Sequence, residues 1–102
     1  MIMVISTFPS MKTARKALKN LVTKGLAPCT SIIKIEGSIY KWKGKLMEEK
    51  EFMVMVKAED GNYKRIENEL KKAHPYEVQE IIAFKITDAN KEYIDWVNKN
   101  SR

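Results

Sequence analysis

The sequence predicts an α+β domain in which two strand–helix–strand units share one antiparallel sheet and a further helix follows the fourth strand. Three observations carry that expectation. Hydrophobic periods change in order along the 102 residues, from a short apolar run to helical spacing and back. Residues 51–58 are apolar on both sides of an extended chain, with Phe52, Val54 and Val56 on one face and Met53 and Met55 on the other. Finally, His74-Pro75-Tyr76-Glu77 joins an apolar-striped helical segment to an Ile/Val-rich stretch. The proline cannot continue the helix and holds the residue before it extended, so His74 is presented at a helix-to-strand junction.

Each element follows from local chemistry. Residues 2–7 form a short apolar run closed by Phe8-Pro9, a buried first strand. Ser10 is the N-cap of a helix in which Met11, Ala14, Leu18, Leu21 and Val22 recur at helical spacing, with Lys12, Arg15, Lys16 and Lys19 outward and Gly25 at the C-terminal cap. Pro28 and Cys29 open a second strand through Ile32, Ile33 and Ile35 to a bulge or bend at Gly37. Residues 39–46 continue it as an extended arm with Tyr40 and Trp42 on one side, and Glu48-Glu49-Lys50 reads as the turn into the third strand, 51–58. Asp60-Gly61-Asn62 supplies turn chemistry that caps a second helix striped by Tyr63, Ile66, Leu70 and Ala73, which His74-Pro75 ends. Residues 78–86 are the fourth strand, and Asp88 caps a short last helix with Tyr93, Trp96 and Val97 on its apolar side. Strand, helix, strand, strand, helix, strand, helix is the βαββαβ pattern of a ferredoxin-like sandwich with an extra C-terminal helix. Right-handed crossovers put both main helices on one face of the sheet.

Such a chain makes one domain over residues 1–102, large enough for a core yet small enough to gain stability from a partner. The sheet face bearing Met53 and Met55 is too apolar for water, so self-association is expected, with the 40–46 arm free to pair with a neighbour's edge. Nineteen basic residues against thirteen acidic give a net charge of +6, but most lysines sit among acids, as in residues 64–72, which describes a solvated helix face. Lys41, Lys43 and Lys45 are the one denser cluster, interleaved with Tyr40, Trp42 and Gly44. A lone cysteine, Cys29, excludes an intramolecular disulfide framework and suits a reducing compartment. The start reads as a strand rather than a leader, no apolar run is long enough to cross a membrane, and cytoplasm is the expected location.

The chain resembles the CutA (CutA1, divalent-cation tolerance) family over essentially its whole length. The matching elements are Ser6-Thr7, Gly25-Leu26-Ala27 with Cys29, the run 38–45, Lys57, His74-Pro75-Tyr76-Glu77-Val78 with Glu80-Ile81-Ile82, and Tyr93-Ile94-Asp95-Trp96. The resemblance implies a ferredoxin-like protomer in a tight cytoplasmic homotrimer without established enzymatic activity. It also implies binding of divalent metal, copper above all, and an association with metal tolerance. Two departures bear on metal: some members carry a cysteine where this chain has Ser6, and Ala27-Pro28-Cys29-Thr30-Ser31 replaces the common Ala-Ala-Cys-Val-Asn.

No obligatory cofactor is expected. For copper, His74 and Cys29 are the side chains of suitable softness, the imidazole for the cupric ion and the thiolate for the cuprous. Two ligands are too few, so a site recruits carboxylates such as Glu77 or groups from another protomer. Against these readings stand a packed or solvated His74 and a Cys29 that is simply a small buried hydrophobe. Tyr40 and Trp42 among lysines are able to stack bases of a single strand. The RNA-recognition hallmark is absent from the third strand, however, and filling an intersubunit interface is the preferred role, so no nucleic-acid partner is expected. Lys57, Tyr76, Met53 and Met55 complete the expected interface or cleft. Four isolated glycines make no phosphate loop, and nothing marks an activated nucleophile or paired carboxylates, so the chain reads as a non-enzyme. The trimeric PII signal proteins share the protomer plan, which keeps a small-molecule sensor with intersubunit clefts as the alternative.

Overall fold

The computed structural model describes residues 1–102. Its elements are β1 (Ile2–Phe8), α1 (Met11–Thr23), β2 (Cys29–Trp42), β3 (Lys45–Ala58), α2 (Tyr63–Ala73), β4 (Ile81–Lys85) and α3 (Lys91–Lys99), with a 3-10 turn at Asp60–Asn62 before α2. The sheet order is β2-β3-β1-β4, every neighbouring pair antiparallel. The units β1–α1–β2 and β3–α2–β4 therefore each cross one intervening strand, which is the ferredoxin-like arrangement.

Register decides which side chains are covered. Ile2 pairs with Ala58, Val4 with Val56 and Ser6 with Val54, and these positions point toward the helices, where Ala14, Leu18 and Leu21 of α1 and Ile66 and Leu70 of α2 complete one core. Each fully buried aliphatic side chain there stabilises the fold by about 1.5–3 kcal/mol. The alternate positions, Met53 and Met55 on β3 with Ile33, Ile82 and Phe84, turn to the other side. That side is only partly covered: Ile33, Ile82 and Phe84 are 48, 52 and 51% exposed.

Several local expectations hold at the level of single hydrogen bonds. The Ser10 side chain accepts from the Thr13 N–H at 3.2 Å and caps α1. At the other end Gly25, at φ 73°, allows Leu26 N–H to reach the Leu21 carbonyl and Gly25 N–H the Val22 carbonyl, both at 3.0 Å. Around Gly37 the register shifts, Ile35 facing Glu51 and Ser38 facing Glu49, so three steps on β2 match two on β3 in a bulge. Helix α2 ends at Ala73, before His74-Pro75.

Four details differ from the sequence expectation. The β2–β3 reversal lies at Lys43-Gly44, not at Glu48-Glu49-Lys50: φ values of 51° and 80° make a two-residue turn whose twist matches the flanking strands. The expected arm is thus the folded-over end of a long hairpin in which Tyr40 pairs with Met47 and Trp42 with Lys45. Glu48 and Glu49 are ladder residues, and the hairpin extends a molecule of 45 × 25 × 21 Å. Strand β4 is shorter than 78–86, because its ladder with β1 ends at Ser6–Ile81 and the preceding loop bends away toward β3. Asn90, not Asp88, caps α3 by accepting the Glu92 N–H at 3.0 Å. Asn62 does precede α2, but its side chain makes no capping bond; it donates instead to the Leu26 carbonyl at 3.0 Å and ties the α1–β2 connection to α2.

Candidate functional site

Extended backbone at His74, φ −84° and ψ 128°, follows from the proline after it and turns the imidazole inward from the end of α2. The ring stacks on Phe8 at a centroid distance of 4.4 Å and lies 5.0 Å from the Tyr76 ring. Both nitrogens are engaged. Nδ1 accepts the Tyr76 N–H at 3.5 Å, which leaves the proton on Nε2, 3.2 Å from Ser6 Oγ. Burial lowers the affinity of the ring for a second proton, a shift that the Thr7 backbone and the charge of Glu51 only oppose. His74 is therefore a neutral, packed imidazole.

The same bend carries Tyr76 across the end of β1 to β3, where its hydroxyl donates to Glu51 at 2.8 Å. Burial, then this hydrogen bond and the charge of Glu51, push the Tyr76 hydroxyl far above its ordinary value, so it stays protonated and remains a donor. Glu51 is only 8% exposed. Between the hairpin and the loop after His74 a cavity of about 420 Å³ opens, into which Glu49, Glu51, Glu77 and Glu80 project beside Tyr40, Trp42 and Tyr76, with Met47 and Val78. No lysine or arginine lines it. Burial and the neighbouring Glu49 also raise the Tyr40 hydroxyl.

Tyr40, Trp42, Tyr76 and Glu77 are thus brought together at the stem of the hairpin, with His74 behind them. Cys29 and Lys57 are elsewhere. They pair across β2 and β3, and the Lys57 ammonium stands 5.4 Å from the centre of the Tyr93 ring of α3. His74 touches Ser6, whose partner Val54 lies three residues before Lys57 on β3, about 10 Å along the strand. Met53 and Met55 line the open face between the two places. No three histidine, cysteine, aspartate or glutamate side chains of the protomer converge as a metal would require. His74, Cys29 and Glu77 do not form one ligand set within a protomer, and the half-buried Cys29 is apart from the histidine.

Glu49 lies in the stretch that reads as a turn, and Glu51, read as the first residue of the third strand, carries no local sign of its partner. The signal for the hairpin was present: Lys43-Gly44 between two alternating runs is hairpin chemistry, and it places Glu49, Glu51 and Met53 on one side of the same strand. Ser6, a family-matching residue where some members carry a thiol, places its hydroxyl as the partner of His74 Nε2.

Comparison with known proteins agrees with this architecture. The family model described as CutA1 divalent ion tolerance protein matches residues 2–100. The divalent-cation tolerance protein CutA of Thermus thermophilus is 38% identical over 98 residues, covering 96% of this chain and 95% of that protein. Its counterpart in Pyrococcus horikoshii is 30% identical over 102 residues, covering 100% and 99%. Human protein CutA is 36% identical over 93 residues, and the match spans only 52% of that longer chain. Among solved structures, the Thermus thermophilus protein superposes with a TM-score of 0.94 at 37% identity over 100% of both chains. A CutA from Archaeoglobus fulgidus, named as a periplasmic divalent cation tolerance protein, does so at 0.94 and 32% identity over 98% of each. No helix of the present chain is long and apolar enough to cross a membrane. A matching family model across the domain, full-length relatives and closely superposing solved structures together establish that this chain belongs to the CutA1 divalent ion tolerance family.

Proposed function

We propose that the protein acts as a cytoplasmic homotrimer without catalytic activity that binds divalent metal ions, copper among them, and so serves metal tolerance. The observation that carries the assembly is the apolar surface left open on one protomer. Ile33, Ile82 and Phe84 on the sheet face are about half exposed, and Ile39 and Leu46 on the other side of the hairpin are 68 and 76% exposed, so large apolar side chains are left in water on both sides of the sheet. A closed ring of copies covers such a face where an isolated pair of hairpins would leave edges. Metal binding then draws on more than one protomer, since Cys29 and Glu77 have reachable atoms but no complete ligand set around them. The lone thiol suits the cytoplasm.

Nucleic acid is disfavoured as a partner. Tyr40 and Trp42 look into a pocket of carboxylates that repels phosphate, while the hairpin lysines stand outside it. That pocket favours the second reading, a trimeric small-molecule sensor with its sites beside the subunit contacts.

Light scattering of the purified protein is expected to give about three protomer masses, and Met53→Lys or Met55→Glu to dissociate the trimer, because an unpaired buried charge costs several kcal/mol. A soluble monomer at micromolar concentration would refute the assembly. Calorimetric titration of the trimer with cupric and zinc ions is expected to show saturable binding, with His74→Ala changing cupric affinity less than about threefold and Cys29→Ser weakening the cuprous ion more than the cupric. Absence of saturable uptake of either ion would remove the metal part of the reading and leave the trimer standing.

A further inference from the structure

The pocket at the hairpin stem contains an electrostatic imbalance. Glu51 is 92% buried by its 8% exposure, yet its one hydrogen-bond donor is the neutral Tyr76 hydroxyl at 2.8 Å. None of the ion pairs of the chain involves it. A carboxylate taken out of water calls for a cation partner, and none is supplied here, for Glu49, Glu77 and Glu80 line the same cavity. In a molecule of net charge +6 this is a concentrated negative site with no internal counter-ion. It is also walled by three aromatic rings, Tyr40, Trp42 and Tyr76. Ring faces attract weakly hydrated cations, and they contribute nothing to the inner sphere of a hard metal ion. At about 420 Å³ the cavity is many times the roughly 30 Å³ share of one water molecule and falls in the range of small-molecule sites.

We propose that this pocket binds an alkylammonium group, its charged head paired with Glu51 and set against the Trp42 and Tyr40 rings, its aliphatic stem lying on Met47 and Val78. A bare divalent ion fits less well, since no three carboxylates converge on one point. An organic cation needs no such convergence: one short ion pair and two or three ring faces suffice. The inference does not depend on the metal reading above. The same ammonium chemistry has two sources, a free aliphatic amine or the lysine side chain of a second copy of this chain, and the test separates them.

The probes are n-butylammonium, putrescine and spermidine at matched ionic strength, with magnesium chloride as the metal control. Binding is read by calorimetry and by Trp42 fluorescence in a Trp96→Phe background, which leaves one indole. Saturable binding of an amine that falls at least tenfold in both Glu51→Gln and Trp42→Ala, with magnesium unable to displace it, assigns the site to a free amine. Glutamine retains an acceptor for Tyr76, so Glu51→Gln removes charge with little change in packing; unaltered mass and circular dichroism verify this. If no amine binds, but a carbodiimide couples Glu51 to a lysine of another copy and Glu51→Gln abolishes the product, the occupant is the second copy. Absence of both amine uptake and that cross-link overturns the proposal, as does magnesium binding more tightly than every amine at the same carboxylates. A monomeric mass with amine binding intact would refute the trimer and leave this site in place.

Discussion

His74 shows how one residue type acquires its role from its neighbours. An imidazole at the end of a helix is free to be a ligand, a switch or a filler, and packing against Phe8 with both nitrogens engaged makes it a filler with a fixed tautomer. Its protonation is disfavoured in the folded state, from an ordinary value of 6.5 downward, chiefly by burial. The contribution to stability is therefore complete above pH 6.5 and is lost as the pH falls through the lower folded value, because the unfolded chain then binds the proton first. As this is the only histidine, its ring proton resonance can be followed without assignment, and its midpoint is expected below 6.5. A midpoint above 6.5 would contradict the buried, neutral ring. His74→Ala is expected to cost about 2 kcal/mol in urea unfolding, the loss of a packed ring together with an orphaned Ser6 hydroxyl. Asn62, buried against the Leu26 carbonyl, belongs to the same class of residue, one whose turn chemistry was legible while its long-range partner was not.

Among the elements, the β2–β3 hairpin has the largest consequences. Its two strands are fourteen residues each, and their register depends on a two-residue turn in which both positions have positive φ. Lysine at the first of these is strained and glycine at the second is not. A Cβ at Gly44 meets nothing within 4 Å, so Gly44→Ala tests backbone conformation alone. The expected cost is about 1 kcal/mol, appearing as lower stability with the tertiary contacts of the helices retained. Gly44→Asn, a residue that tolerates this region, is expected to recover most of it. Equal stability of the alanine and glycine forms would show that the turn relaxes to another type. The turn also explains the candidate site, because shifting the reversal from 48–50 to Lys43-Gly44 is what sets Glu49 and Glu51 beneath Tyr40 on a common ladder.

For the whole molecule, ion pairs join elements distant in sequence. Glu69 of α2 meets Lys24 at 2.7 Å just past α1, accepts from Asn20 at 2.8 Å and pairs with Lys72, which together hold its carboxyl down at about 2. Asp60 joins the amino terminus at 2.8 Å and Lys85 of β4 at 2.9 Å, and is likewise lowered to about 2. Both folded values lie below those of the unfolded chain, 4.5 and 3.8 in ordinary surroundings. Their stabilisation is thus present above pH 4.5 and is withdrawn as the pH falls toward 2. Thermal midpoints measured from pH 5 to pH 2 are expected to drop, less steeply in Glu69→Gln and Asp60→Asn than in the parent. Parallel curves for parent and variants would show that these pairs do not link folding to pH. High salt is expected to diminish the effect, since both carboxylates are near solvent.

The sequence by itself determined the order of elements, the two-faced third strand, the Ser10 and Gly25 caps, the bulge at Gly37 and the stop at His74-Pro75, as well as the family. These depend on side-chain periodicity and on backbone limits that act within a few residues, and such information is local. Only the tertiary structure decided that His74 faces Ser6, 68 positions earlier, that Tyr76 reaches Glu51, 25 positions earlier, and that Cys29 lies apart from both. Those pairings depend on sheet register, and a slip of one residue turns every side chain of a strand to the other face. Glu48-Glu49-Lys50 is compatible with a turn or with a ladder; the antiparallel pairing with β2 selected the ladder and with it the pocket. The reason is physical: composition specifies which groups need a partner, while strand pairing in three dimensions specifies which partner each one meets.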